Sequence, residues 1–148
     1  MHVLFLHGLE SKPGGDKPDA LEMAGHTVLN PALPKSSFGE SVGIAQELVD
    51  AEAPDYIVGS SRGGAVAMTV DGRGAQLVLI APAWKMFGAP PSVPPNTVIL
   101  HSPDDAVVPI EDSIELSELT GATLIECGEC HRMSDANALS TLIDYVGP

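Results

Sequence analysis

Six short apolar runs, at residues 2–6, 27–29, 56–58, 77–80, 98–100 and 124–125, are separated by stretches long enough to be helices. None of the runs alternates strictly between apolar and polar residues, so each suits a strand covered on both faces. The stretches 17–24, 40–53, 62–70, 111–119 and 134–145 read as the covering helices. Ser41 and Ser134 stand where N-caps belong, and Gly25 and Gly121 stand where helices would stop. Strands alternating with helices imply a parallel sheet. Right-handed crossovers then give a three-layer α/β/α, mostly parallel, doubly wound sheet of about six strands. Such folds place their chemistry at the carboxyl ends of the strands.

The 148 residues are enough for one domain with its own core, expected to span 1–148 without a second domain or repeat. Residues 81–96, rich in Pro, Gly and Ala without helical period, read as a loop. Seven basic residues against twenty acidic ones leave a net charge of -13, which repels nucleic acid and anionic membrane surfaces. No apolar run approaches the roughly 18 residues that span a bilayer, and the first residues show no basic leader. The expected setting is the cytoplasm, which Cys127 and Cys130 also fit, being too few for a disulfide framework. The expected partner is a small molecule, with no nucleic acid and no membrane; the sequence leaves oligomeric state open.

Gly59-Ser60-Ser61-Arg62-Gly63 matches G-x-S-x-G and lies between the apolar Tyr56-Ile57-Val58 and a helix-forming run. A strand that turns this sharply into a helix needs glycines where side chains would strike backbone, and it projects the central serine outward. The helix N-terminus beside that serine stabilises developing negative charge. A Gly-rich turn with a capping serine would look similar, so the chemistry must come from partners downstream.

A serine hydroxyl is a poor nucleophile until a base takes its proton. Asp104-Asp105 follows the fifth apolar run and His131 the sixth, so acid and base fall on the same sheet edge in the order Ser, Asp, His. Either aspartate could orient the histidine, and an Asp-Asp pair is more often only a turn.

Taken with Leu4-Phe5-Leu6-His7-Gly8 and Asp105-Ala106-Val107-Val108-Pro109, these motifs resemble the α/β-hydrolase superfamily along nearly the whole chain. The opening His7-Gly8-Leu9-Glu10-Ser11-Lys12-Pro13 is similar to its small cap-less esterases, the YqiA-like group. The resemblance implies Ser61 as nucleophile, His131 as base and Asp105, four residues before the proline, as acid. It implies oxyanion-hole amides from Arg62 and Leu9 and an ester or thioester substrate, with no cofactor and no metal. The Arg62 side chain is expected to pair with a nearby acid, contact with a substrate carboxylate being the alternative. The sequence departs from larger members in lacking the first two antiparallel strands and a helical cap. That leaves Trp84, Met86 and Phe87 as the available apolar wall for an acyl group, unless they are core packing.

Two rival readings remain. Cys127-Gly128-Glu129-Cys130-His131 matches C-x-x-C-H, the attachment motif of c-type haem, although His131 already has a place in the triad. A dithiol in redox folds usually follows an early strand, whereas this one follows the last. A zinc site lacks further ligands, His2, His7, His26 and His101 being scattered and read as structural. The second rival is a hydrolase-like fold that serves as a non-catalytic binding module.

Overall fold

The computed structural model describes residues 1–9 and 11–147; Glu10, part of the His7–Pro13 motif, and Pro148 lie outside the described residues. Its elements run β1 (His2–Leu6), α1 (Asp16–Met23), β2 (Thr27–Leu29), α2 (Phe38–Glu52), β3 (Tyr56–Ser60) and α3 (Arg62–Thr69). They continue as β4 (Gln76–Ile80), β5 (Val98–His101), α4 (Ile110–Thr120), β6 (Thr123–Glu126) and α5 (Ala136–Tyr145). The strands form a six-stranded sheet in the order β2-β1-β3-β4-β5-β6, each neighbouring pair parallel.

Alternate residues of each strand bury on opposite faces, which is why the sequence shows runs rather than alternation. Leu4, Leu6, Ile57, Leu77, Leu79 and Ile99 pack with residues of α2, α3 and α4. Val3, Phe5, Val58, Val78, Ile80 and Leu100 pack with Leu21 of α1 and with Ala138 and Leu142 of α5. The result is the expected three-layer arrangement. The chain steps from β1 outward to β2 and then returns past β1 to β3. The strand order therefore reverses between β1 and β3, and a crevice opens there at their carboxyl ends.

Two helix starts differ from expectation. Helix α2 is capped by Ser37, whose hydroxyl accepts from the Glu40 amide at 3.1 Å. Ser41 is instead fully buried one turn later, its hydroxyl donating toward the Pro34 and Ser37 carbonyls. Helix α5 is capped by Asp135, which accepts from the Ala138 amide, rather than by Ser134. Gly121 ends α4 in the left-handed region as expected, at φ 82°. Residues 81–96 contain turns but neither helix nor strand, so no cap is inserted among the described residues. Among them, too, no helix is long and apolar enough to cross a membrane.

Leu142, 1% exposed, fixes α5 to the sheet. Truncation of a buried leucine leaves a cavity, and Leu142→Ala is expected to cost about 2–5 kcal/mol. By contrast, Gly43 lies in mid-α2 with nothing within 4 Å of an added Cβ, so Gly43→Ala is expected to stabilise by roughly 0.5–1 kcal/mol. Urea unfolding of the two variants, read by circular dichroism, should move the midpoint in opposite directions.

Candidate active site

The turn from β3 into α3 admits no side chain at two positions. A Cβ on Gly59 would fall on the Gly63 carbonyl, and one on Gly63 would fall on the Leu6 carbonyl of β1. Between them Ser61 takes φ 56° and ψ −115°, a conformation that L residues rarely adopt and that surrounding contacts must impose. Those contacts are hydrogen bonds: the Ser61 amide donates to the Ile80 carbonyl at 2.9 Å, and its carbonyl accepts from Gly64 at 2.9 Å and Ala83 at 3.0 Å. The serine is thereby held at the switch point, over the end of β3.

Three side chains from three strand ends meet there. Ser61 Oγ lies 3.0 Å from His131 Nε2, and His131 Nδ1 lies 2.7 Å from Asp105 Oδ2. Burial by itself would raise the Asp105 pKa, but the hydrogen bonds from His131 and the Val108 and Val107 amides outweigh it and hold the carboxyl below its ordinary value. An ionised Asp105 only accepts, so His131 carries its proton on Nδ1, and its bare Nε2 accepts from the serine hydroxyl. Asp104 is exposed, and its amide donates to Ser102 Oγ. Of the two adjacent carboxylates, it is Asp105 that contacts the histidine.

A residue read from the sequence as merely structural adjoins this chain. His101, fully buried at the end of β5, has Nε2 3.1 Å from Asp105 Oδ2 and 2.9 Å from the Val108 carbonyl. Both neighbours are acceptors, so Nε2 carries a hydrogen, while Nδ1 lies 2.7 Å from Ser113 Oγ on α4. The Nε2 hydrogen is given to Val108, so Asp105 receives one imidazole N–H, from His131, on Oδ2 and two amides on Oδ1, each amide at 2.8 Å, with the His101 ring close against Oδ2. The signal in the sequence was the spacing of four between a strand-end histidine and the acid.

The amide of Arg62 opens α3, where N–H groups lack an intrahelical partner. Leu9 follows Gly8, whose added Cβ would stand 3.5 Å from Ser61 Cβ, so the β1 turn runs directly beside the nucleophile. His7 fixes that turn: its Nδ1–H donates to the Gly8 carbonyl, and its Nε2 accepts from the Leu33 amide. Among the described residues the Arg62 side chain pairs with no acid. Its guanidinium donates to Ser41 Oγ and the Pro34 carbonyl and lies 5.6 Å and 5.5 Å from the rings of Phe38 and Phe87, which stack on each other. Burial lowers its pKa from the ordinary value.

The expected apolar wall is not assembled. Trp84 is 6% exposed in the core and donates its indole N–H to the Asp112 carbonyl; Phe87 packs on Phe38, and only Met86 faces solvent. The indole found a partly buried carbonyl of α4, which secures it inward. The C-x-x-C-H segment is divided likewise. Cys127 is buried against the β-sheet with its pKa raised by burial, Cys130 is exposed, and His131 is engaged by Asp105 and Ser61, an arrangement opposed to haem attachment. Among the described residues, no group of three or more His, Cys, Asp or Glu side chains could hold a metal ion.

No protein-family model matches the sequence, and no curated protein does. Among solved structures, alpha/beta hydrolase domain-containing protein 10 from mouse superposes with a TM-score of 0.78 at 16% identity, covering 98% of this chain and 87% of that one. A protein of the alpha/beta superfamily of hydrolases from Xanthomonas campestris pv. campestris gives 0.78 at 24% identity, covering 97% and 95%. The esterase domain of a Rhodothermus marinus protein gives 0.69 at 18% identity, covering 99% and 84%. The chain has the α/β-hydrolase fold, in a form without a cap among the described residues.

The lowered Asp105 pKa has a measurable sign. Its contribution to stability is complete above the unfolded value, ordinarily 3.8, and disappears as pH falls through the lower folded value. Urea midpoints of wild type and Asp105→Asn are expected to differ most near about pH 6 and to converge toward about pH 2. Parallel curves over that range would show that the carboxyl is not held as an anion.

Proposed function

We propose that the protein is a serine hydrolase acting on a small ester or thioester. The observation that carries the reading is the continuous hydrogen-bond chain from Asp105 through His131 to Ser61. Ser61 Oγ attacks the carbonyl carbon while its proton passes to His131 Nε2. The tetrahedral oxyanion accepts from the amides of Arg62 and Leu9, each such donor being worth about 3 kcal/mol. On collapse the bond to the leaving group breaks, and that group departs with the proton from His131. Water then attacks the acyl-enzyme, giving its proton to His131, and the second collapse returns that proton to Ser61. Asp105 keeps the imidazole in the tautomer with Nδ1–H and stabilises the imidazolium; His101 braces the Asp105 turn by bonding the Val108 carbonyl.

A fluorophosphonate probe is expected to modify Ser61, with labelling absent in Ser61→Ala and strongly reduced in His131→Ala. Folded wild-type protein that stays unlabelled would contradict the reading. Turnover of short p-nitrophenyl esters should fall by roughly 10⁴ in Asp105→Asn, where the imidazole adopts the wrong tautomer. Asp104→Asn should change it little, since that side chain is exposed.

A further inference from the structure

Two of the chain's seven basic residues converge beside the nucleophile without a task in the mechanism above. A cleft of about 100 Å³ lies between the loop from β1 to α1 and the loop from β6 to α5. Lys17 and Arg132 line it together with Ser11, Ser134, Gly8 and Ser60. Gly8 adjoins the Ser61 side chain, Ser60 precedes the nucleophile and Arg132 follows the base, so the cleft borders the reacting atoms.

Lys17 is half-buried, and burial together with repulsion from Arg132 holds its ammonium below the ordinary pKa, despite attraction to Asp16. Ion pairs among the described residues engage Arg73 and Lys85 and leave Lys17 and Arg132 out. Asp16 also lines the cleft, leaving two cations to one carboxylate among the described lining residues, in a chain of net charge -13. Arg132 is exposed and Lys17 is the partly buried member; two like charges held side by side are unfavourable, and an anion between them removes that cost. The loop on one side of the cleft is also fixed in shape. Gly14 and Gly15 take φ 91° and 106° with nothing within 4 Å of an added Cβ, and Asn30 ties the loop to β1 by accepting from Gly14 and donating to the Phe5 carbonyl.

We propose that this cleft is a subsite for an anionic oxygen group, carboxylate or phosphate, carried by the ester or thioester substrate; the proposal rests on the serine-hydrolase reading. At long range the acidic surface repels such a substrate. Recognition therefore acts at contact, and Lys17 and Arg132 supply it.

The test compares p-nitrophenyl hexanoate with the p-nitrophenyl monoester of adipic acid, which differ by one terminal carboxylate. Wild type is expected to favour the charged ester in kcat/KM by about tenfold, corresponding to ~1.4 kcal/mol. Lys17→Gln and Arg132→Gln should each bring that ratio toward one. Lys12→Gln, on the same loop but outside the cleft lining, should leave the ratio as it is. Independently of turnover, calorimetry should detect inorganic phosphate binding to Ser61→Ala, weakened severalfold when Lys17→Gln or Arg132→Gln is added. Equal use of both esters by an enzyme that does label with fluorophosphonate overturns the subsite and leaves the triad standing. Phosphate binding that neither substitution weakens overturns it as well. Phosphate binding that both substitutions weaken, in a protein that does not label, upholds the anion site and removes the hydrolase reading instead.

Discussion

Everything at the strand ends depends on how closely the backbone of α3 approaches the backbones of β1 and β3. Without side chains at Gly59 and Gly63, the helix can begin one residue after the strand and lie against the Leu6 and His7 carbonyls. The same closeness forces Ser61 into its positive φ, because the residue between two such contacts has nowhere else to go. The strain is held by hydrogen bonds to the neighbouring strand β4 and its following loop. The hydroxyl position is therefore a property of the packed sheet and not of one loop.

The second dependence is electrostatic. A carboxylate whose side chain is fully withdrawn from water is costly unless its oxygens are occupied. Here the occupancy is divided: two amides from its own turn bind Oδ1, the His131 imidazole binds Oδ2, and His101 lies against that oxygen while bonding the Val108 carbonyl of the same turn. The local amides set the turn that follows β5, while the imidazoles join that turn to β6 and α4. Charge, orientation and tertiary connection are thus supplied by one side chain.

The layering was legible because burial on both sheet faces writes itself locally, as runs such as Leu77–Ile80 without polar interruption. The elbow was legible because steric exclusion demands glycine at fixed spacing around Ser61. Choosing Asp105 over Asp104 needed the family pattern, since both stand on the same turn and only three-dimensional placement separates them. The helix starts misled because Ser41, a good capping residue, faces the interior, where Pro34 and Arg62 use its hydroxyl. Trp84 was ambiguous for a related reason: its apolar loop allowed either an acyl wall or core packing, and the α4 carbonyl that partners the indole decides for the core. The meeting of Lys17 with Arg132 involves residues far apart in the chain, and such encounters leave no local periodicity to read, whereas His101 stands only four residues before Asp105 and was passed over because a lone histidine there reads as structural.

Arg62 presents its amide at the start of α3 and sends its guanidinium away beneath Phe38 and Phe87 to Pro34 and Ser41. One residue thus rivets the catalytic turn to the segment that enters α2. The two regions are mechanically one piece, so tilting α2 would drag the Arg62 amide with it. Drift at position 41, remote from any reacting atom, is consequently restrained by the geometry of a site it never touches.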